Sequence, residues 1–432
     1  MTPILPAAAL IMTALLSACA TPPDLTPLET AVITREARLP ASLAGSDFGR
    51  AVAQAVTTSP TLGRGQAALR EAEAGLLAES GAFLPEISVG LRPHNSGDFG
   101  VASFGAISQL LYDGGASEAR QTAAKARVLG GLAGRLDAGS RAALSAVEAW
   151  ARLATARALM RASEASLASL EATTAQIEDR SAGGLGSSAE TLTAQSRLAN
   201  DRAAVVAARS EVIRAETIFE EVFGRAPLAQ LSLPPQAPRA PDGGAAESPT
   251  LRRAEAEVLA AQAEHAAALA GRVPTVSVSV SAIPGSRAVA GLASEQLLSP
   301  SRGRTARVAA AEARIDARRV DLDATHRELD SRLRILSAEL GVVPDRLSAT
   351  RAATEANRAN LDLALDQFQA GRRSLIELLD AEREALASER QQILVEHDQA
   401  VLGYAVLAAT GDILDVFGVT LPAAPYSGGA SE

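Results

Sequence analysis

The sequence has few aromatic residues, a single cysteine and almost no lysine. Aromatic residues make up 3% of its 432 residues, so a large conventional globular core is poorly supplied. One Cys excludes an internal disulfide and a metal cluster held by cysteines. The formal net charge of -9 argues against a protein that binds nucleic acid. After residue 18, no run approaches the roughly 20 apolar residues of a transmembrane helix.

No catalytic constellation is visible in the sequence. The four histidines stand far apart and form no HExxH motif: His94, His265, His326 and His397. Because Lys125 is the only lysine, the chain has no GxxxxGK[ST] phosphate loop. We therefore expect neither enzyme activity nor a cofactor, and a partner protein would have to supply energy.

The N-terminus resembles a bacterial lipoprotein signal. Residues 4–18 form an apolar run of signal-peptide length, and Leu16-Ser17-Ala18-Cys19 places the only cysteine where such signals are acylated. We expect residues 1–18 to be a signal peptide and Cys19 to carry lipid; the alternative is a chance Cys after a plain signal peptide. Ala20 in the next position implies sorting to the outer membrane. Residues 19–46 are rich in proline and predict an extended linker.

The chain contains two copies of one unit, about 188 residues apart. Three segments recur in the same order: 59–62 at 248–251, 84–89 at 273–278, and 184–195 at 371–382. The predicted organisation is a first repeat at 47–225, a Pro/Gly-rich linker at 226–247, a second repeat at 248–411 and a tail at 412–432.

Each repeat predicts the same order of elements. A helix of about 24–35 residues is followed by a β-hairpin, a very long helix, a glycine-containing turn and another long helix. The long runs, about 115–181 and 303–370, would each span roughly 100 Å at about 1.5 Å per residue. Alanine is the most abundant apolar residue, and it has the highest helix propensity. Pro344, close to Gly341, is predicted to kink or break the second run.

The hairpins, at 86–111 and 275–298, carry a period-2 pattern. In the segment TVSVSVSA at 275–282, apolar residues alternate with serine and threonine, which indicates a sheet with one apolar face. Two interpretations remain open: a hairpin half-buried on helices, or strands of a transmembrane barrel. Four strands cannot close a barrel, so a channel would need three or more copies.

Taken together, these features resemble the TolC family of outer-membrane channel-tunnels over about residues 47–415. The segment 109–115, QLLYDGG, is similar to that family's strand-to-helix junction. The segment 368–381, FQAGRRSLIELLDA, is similar to its second helix-turn-helix tip, in the form found in type I secretion exporters. A periplasmic coiled-coil adaptor or scaffold lipoprotein is the rival interpretation, and it leaves the matched hairpins unexplained.

The resemblance implies a mainly α fold with a small β part. Long antiparallel helical hairpins would form the α-barrel tunnel of a homotrimer, and four strands per chain would contribute to a 12-stranded transmembrane β-barrel in contact with outer-membrane lipid. The expected partners are a periplasmic adaptor (membrane fusion) protein and an inner-membrane pump, either an ABC transporter or proton-driven. The tip motif favours type I protein secretion over small-molecule (RND-type) efflux.

The resemblance also implies roles for residues at the tips of the long hairpins. Glu377 and Asp380 would ring the periplasmic gate, and Arg373, Phe368 and Glu190 would hold neighbouring coils together. Seven residues would form adaptor-docking tips: Gly184, Leu185, Gly186, Ser187, Gly371, Arg372 and Ser374. A simpler reading accounts for the Ser and Glu residues alone, because Ser-x-x-Glu at 187–190 and at 374–377 matches a helix capping box.

Overall fold

The computed structural model describes residues 21–33, 35–95, 99–183, 187–241, 244–282, 288–295 and 302–421. The predicted signal peptide, Cys19 and the tip residues Gly184, Leu185 and Gly186 lie outside the described residues. In the described part of the chain, no helix is long and apolar enough to cross a membrane.

Helices dominate both repeats. The first part of the chain contains α1 (Thr26–Ile33), α2 (Asp47–Thr58), α3 (Pro60–Ser80), β1 (Glu86–Asn95), β2 (Phe99–Tyr112), α4 (Ala116–Ala182) and α5 (Ser188–Phe223). The second contains a short 3-10 turn (Gly244–Glu247), α6 (Pro249–Ala270), β3 (Thr275–Ala282), β4 (Val289–Glu295), α7 (Arg302–Gln369), α8 (Leu375–Thr410) and α9 (Ile413–Val416). The helices α4 and α7 have 67 and 68 residues, and each packs against the helix that follows it, α5 or α8, as an antiparallel hairpin.

The predicted break at Pro344 is wrong. The helix α7 runs through Pro344 without interruption, although proline removes one backbone hydrogen bond and crowds the preceding turn. Val343 and Leu347 on either side are 1% and 5% exposed, so packing holds this part of α7.

Two further local predictions need correction. The opening helix of the first repeat is divided, because Ser59 adopts an extended conformation (φ -63°, ψ 130°) immediately before Pro60. The segment expected to be an extended linker contains α1. Three of its apolar residues, Leu25, Leu28 and Val32, are buried against the long helices, which provides the burial that a short helix needs.

The four strands form one antiparallel sheet in the order β1-β2-β3-β4. The central pair joins the two repeats, with Ile107 opposite Val280, and the register shifts between Leu110 and Tyr112. Among the described residues, the first and last strands, β1 and β4, each pair on one side only, so the sheet of a single chain has two open edges.

Half of the scarce aromatic residues meet in one cluster near the middle of the long helices. Rings of this cluster lie 4.2 to 6.2 Å apart, and its members are Phe48, Trp150, Phe219, Phe223, Tyr404 and Phe417. Trp150 donates its indole N–H to the carbonyl of Ser232, and the Tyr404 hydroxyl donates to that of Pro235. The cluster therefore fixes the inter-repeat linker to the helices.

Candidate functional site

One face of the sheet is mainly apolar, although it also carries Ser103, Gln109 and Ser294. The pairing places Ile87 opposite Ile107, which in turn lies opposite Val280, and β4 adds Leu292 opposite Val278. Serines occupy alternate positions of β3 and therefore point to the other face. The apolar face is open: Ile87 is 74% exposed, Val89 85% and Leu91 73%. A single chain thus leaves large apolar side chains uncovered across all four strands, which is unusual for a protein surface in water.

A buried aspartate links this sheet to the first long helix. The Oδ2 atom of Asp113 accepts hydrogen bonds from the backbone N–H of Ser117 at 2.8 Å and from its Oγ at 2.6 Å. Between them, Gly114 and Gly115 have φ of 69° and 87°. A side chain at Gly114 would also collide with Val273, since a Cβ there would lie 2.6 Å from it. The segment that resembled a strand-to-helix junction is a sharp turn of this kind.

The predicted gate residues lie at the far end of the long hairpins, where α7 turns into α8. Gly371, with φ of 70°, ends α7, and Arg372 donates its N–H to the carbonyl of Gln367. Ser374 then caps α8: its backbone N–H donates to Oε2 of Glu377 at 2.9 Å, and its Oγ accepts from the backbone N–H of Glu377 at 3.4 Å. The turn is therefore specified by its own sequence.

The two predicted gate carboxylates differ in their surroundings. Hydrogen bonds from the backbone and side chain of Ser374, with a smaller contribution from Arg373, hold the pKa of Glu377 below its usual value. Asp380 lies three residues further along α8 and accepts a hydrogen bond from Nη2 of Arg383 at 2.7 Å. Glu377 is thus engaged by the helix cap, whereas Asp380 is held by an exposed ion pair.

The remaining predicted residues separate into two groups. Phe368 is 7% exposed, and the guanidinium of Arg180 lies 5.5 Å from the centre of its ring; this contact joins α4 to α7. Ser187 caps α5, where its N–H donates to Oε2 of Glu190 at 3.3 Å. Within one chain, Arg373 and Glu190 form no ion pair among the described residues, so the predicted tie between them remains a prediction about neighbouring chains.

Sequence reasoning missed a buried polar seam between the two hairpins, where α4 packs against α8. Glu382 is 7% exposed, and its Oε1 accepts a hydrogen bond from Oγ of Ser169 at 3.2 Å. Burial raises the pKa of Glu382 to about 7, with a further increase from Asp201. Further along the seam, Oγ1 of Thr155 and Nδ1 of His397 share a hydrogen bond at 3.0 Å, and burial lowers the pKa of His397.

A sequence signal for Glu382 did exist. It follows Leu375, Leu378 and Leu379 at the spacing of an apolar helix face. A carboxylate at a core position of such a face is uncommon, because burial of a charge is costly without a partner. His397 had no such sequence signal, because its hydrogen-bond partner Thr155 lies 242 residues away.

Comparison with known proteins decides the family. The family model described as "Outer membrane efflux protein" matches residues 51–225 and 242–412. The chain belongs to the outer membrane efflux protein family. The predicted resemblance and fold class are therefore confirmed. No curated protein sequence matches the chain significantly.

Solved structures share the fold of this outer membrane efflux protein at low sequence identity. The outer membrane protein VceC from Vibrio cholerae has a TM-score of 0.76 and 17% identity, over 85% of this chain and 96% of VceC. The open MtrE outer membrane channel of Neisseria gonorrhoeae has a TM-score of 0.75 and 16% identity, over 88% of this chain and 94% of MtrE. The CmeC outer membrane channel of Campylobacter jejuni has a TM-score of 0.73 and 13% identity, over 87% of this chain and 86% of CmeC.

Proposed function

We propose that the chain is one protomer of a trimeric, passive channel-tunnel that forms the outer-membrane duct of an envelope-spanning export machine. The observation that carries this proposal is the open apolar face of a sheet with two unpaired edges. Hydrocarbon would cover the apolar face, but a bilayer does not tolerate unpaired strand edges. Three copies of four strands give a closed 12-stranded barrel, which satisfies both requirements and leaves room for a lumen.

The helices would extend this lumen into the periplasm. A hairpin of the length of α4 spans about 100 Å, so the tips at Ser187 and Ser374 would lie far from the membrane. Three chains would place Glu377 and Asp380 in two rings of carboxylates at this entrance. The duct would work with a periplasmic adaptor at the tips and with an inner-membrane pump that supplies energy.

Two candidates remain for the cargo. The segment Gly371-Arg372-Arg373-Ser374 favours protein secretion by a type I system, in which the pump is an ABC transporter. The description of the family model favours small-molecule efflux. Deletion of the chain would distinguish them: loss of a secreted protein from the culture medium supports the first, whereas accumulation of dyes or antimicrobials in the cells supports the second.

Lipid on Cys19 would add an anchor on the periplasmic side of the outer membrane. A multiply acylated cysteine together with a barrel holds a chain far more firmly than one acyl chain. Mass spectrometry of the mature N-terminus tests this part of the proposal. An unmodified chain that begins at another residue would remove the lipid anchor and leave the channel proposal intact.

A charge placed on either face of β1 tests the barrel. Val89→Arg puts a cation on the apolar face, where lipid contact costs about 2–4 kcal/mol at mid-membrane depth, and we expect loss of insertion into lipid vesicles. Ser88→Arg, one residue earlier on the opposite face, is the matched control and should insert normally. Equal insertion of the two variants, or a stable water-soluble monomer of the unmodified chain, would contradict the proposal.

A further inference from the structure

A cavity of about 910 Å³ lies on one face of the helical layer near the sheet. Its lining comes from four helices that pack side by side in the order α3, α4, α6 and α7. Small residues form its floor, among them Gly130, Gly134 and Ala256. Because these residues have almost no side chain, the floor is flat and longer side chains at the rim determine the chemistry of the cavity.

The rim of the cavity is strongly basic. Six of the lining residues are arginines: Arg64, Arg127, Arg141, Arg253, Arg314 and Arg318. Three lining residues are acidic: Glu257, Glu264 and Asp321. Asp137, just outside the lining, also pairs with Arg141 at 2.6 Å, so six positive and four negative charges leave an excess of two positive charges, on a chain whose net charge is -9. The sign of the local charge is thus the opposite of that of the whole chain.

The arginines outnumber the partners that could neutralise them. Glu264 lies between Arg127, with which it forms an ion pair, and Nη1 of Arg314 at 3.6 Å. Both residues line the cavity, and Arg314 is the more exposed of the two, at 66% against 32% for Glu264. Arg64 forms no ion pair among the described residues, and Arg318 divides its contacts between two acids at 3.1 and 3.2 Å.

The position of α1 indicates which side of the layer the cavity occupies. Leu132 of α4 belongs to the apolar cluster that buries Leu25 and Leu28, and it lies about 140° around the helix axis from Arg127, at about 100° per residue. The N-terminal segment therefore covers the side of α4 that turns away from the cavity. In the proposed function, the lipid-anchored N-terminal segment would run along the outside of a closed tunnel, and the arginine-lined side would then face the lumen.

We propose that this cavity is an anion-binding part of the duct wall, which takes small solutes carrying phosphate or carboxylate groups. The proposal rests on the proposed function, because it adds a cargo preference to the duct. A guanidinium presents a planar fork of donors that matches these groups bidentately. With three chains around one axis, the excess reaches six positive charges along this part of the lumen.

Calorimetric titration of the detergent-solubilised full-length protein with tripolyphosphate tests the proposal without a need for conduction. We expect binding at low salt, and binding weaker by about tenfold or more in the triple variant Arg64→Gln, Arg127→Gln and Arg314→Gln, because charge and fork are both removed. The triple Lys variant at the same positions keeps the charge but loses the fork, and should bind with intermediate affinity. The control Arg202→Gln, Arg214→Gln and Arg358→Gln removes the same charge from exposed ion pairs elsewhere and should bind as the unmodified chain does.

Current block by tripolyphosphate in planar bilayers is the second measurement. We expect the block to be weakest in the triple Gln variant of the cavity and unchanged in the control variant. The absence of binding to the unmodified chain would overturn the proposal, as would equal binding by the cavity variant and the control variant. If the unmodified chain binds tripolyphosphate at the arginines but shows no conductance, the result contradicts the proposed duct function and still supports the anion-binding site.

Discussion

Ser169 of α4 donates a hydrogen bond from its Oγ to Oε1 of Glu382 of α8, at 3.2 Å, across the seam between the two helical hairpins. The α4–α5 hairpin and the α7–α8 hairpin each carry ion pairs of their own, such as Arg202–Glu171 and Arg358–Glu389. In the described part of the tip half, the polar contacts between hairpins are fewer and include this hydrogen bond. The seam is therefore where a change of protonation would act on hairpin packing.

Replacement of Glu382 by Gln is predicted to remove a pH dependence of stability between about pH 4.5 and 7. The pKa of Glu382 is raised from 4.5 to about 7, so the folded chain holds a proton that the unfolded chain releases. Stability is therefore highest below about pH 4.5 and falls as the pH rises to about 7, by about 3 kcal/mol for this group. Melting temperatures across this range should decline for the unmodified chain and stay level for Glu382→Gln.

Burial sets this sign, because most of the polar groups that face Glu382 act against it. Besides Ser169, the helix α4 presents Thr173, and α5 presents Arg197 and Asp201, whose opposite charges act on the carboxyl in opposite directions. On α7, the leucines packed against the adjoining apolar cluster are uncharged. The control is Glu384→Gln, an exposed carboxylate two residues along α8; if it flattens the profile as much, Glu382 is not the responsible group.

Much of this fold follows from local patterns in the sequence, and the failures have a common cause. The alternation in TVSVSVSA located β3 because the period of a strand is a local property. Pro344 was misjudged because packing of Val343 and Leu347 outweighs the local cost of proline. The apolar spacing of Leu25 and Leu28 was overlooked within a proline-rich segment, although it indicates a helix face. What the sequence could not supply are contacts between distant segments.

The candidate site also has parts that local sequence patterns predict and parts that they do not. The cap formed by Ser374 and Glu377 was predictable from spacing alone, since a capping box lies within four residues. The contact of Arg180 with Phe368 joins residues 188 positions apart, and no local sequence pattern predicts it. The arginine-lined cavity likewise depends on the side-by-side order of four helices that are separated in sequence.

The cap at the second tip gives a prediction about Ser374. Ser374→Ala removes the side-chain acceptor for the backbone N–H of Glu377, and loss of such an N-cap costs about 1 kcal/mol. The pKa of Glu377 should rise toward its usual value, because one of the hydrogen bonds that lowers it comes from the Ser374 hydroxyl. Hydrogen exchange should accelerate in the first turn of α8. Ser388→Ala, in the middle of the same helix, should leave that turn unchanged.

The contact between Arg180 and Phe368 predicts a weaker association of the two hairpins when it is removed. A cation over an aromatic ring at a partly exposed site contributes about 0.5–1 kcal/mol, so Arg180→Gln should raise the open fraction of single channels about two- to fivefold. Arg180→Lys keeps a cation over the ring and should stay close to the unmodified chain. An unchanged open fraction in Arg180→Gln would mean that this contact does not hold the entrance closed.

The last prediction concerns ion selectivity at the periplasmic entrance. Asp380→Asn removes three carboxylates from a trimer, and rings of carboxylates favour cations in a pore, so cation selectivity in planar bilayers should fall. Thermal stability should hardly change, because the ion pair with Arg383 is exposed. Arg383→Gln removes the opposing charge and should shift selectivity the other way. Glu377→Gln should lower both selectivity and stability, since this residue also caps α8. If all three variants keep the selectivity of the unmodified chain, these carboxylates only cap a helix and pair with arginine, and the entrance lies elsewhere in the tunnel.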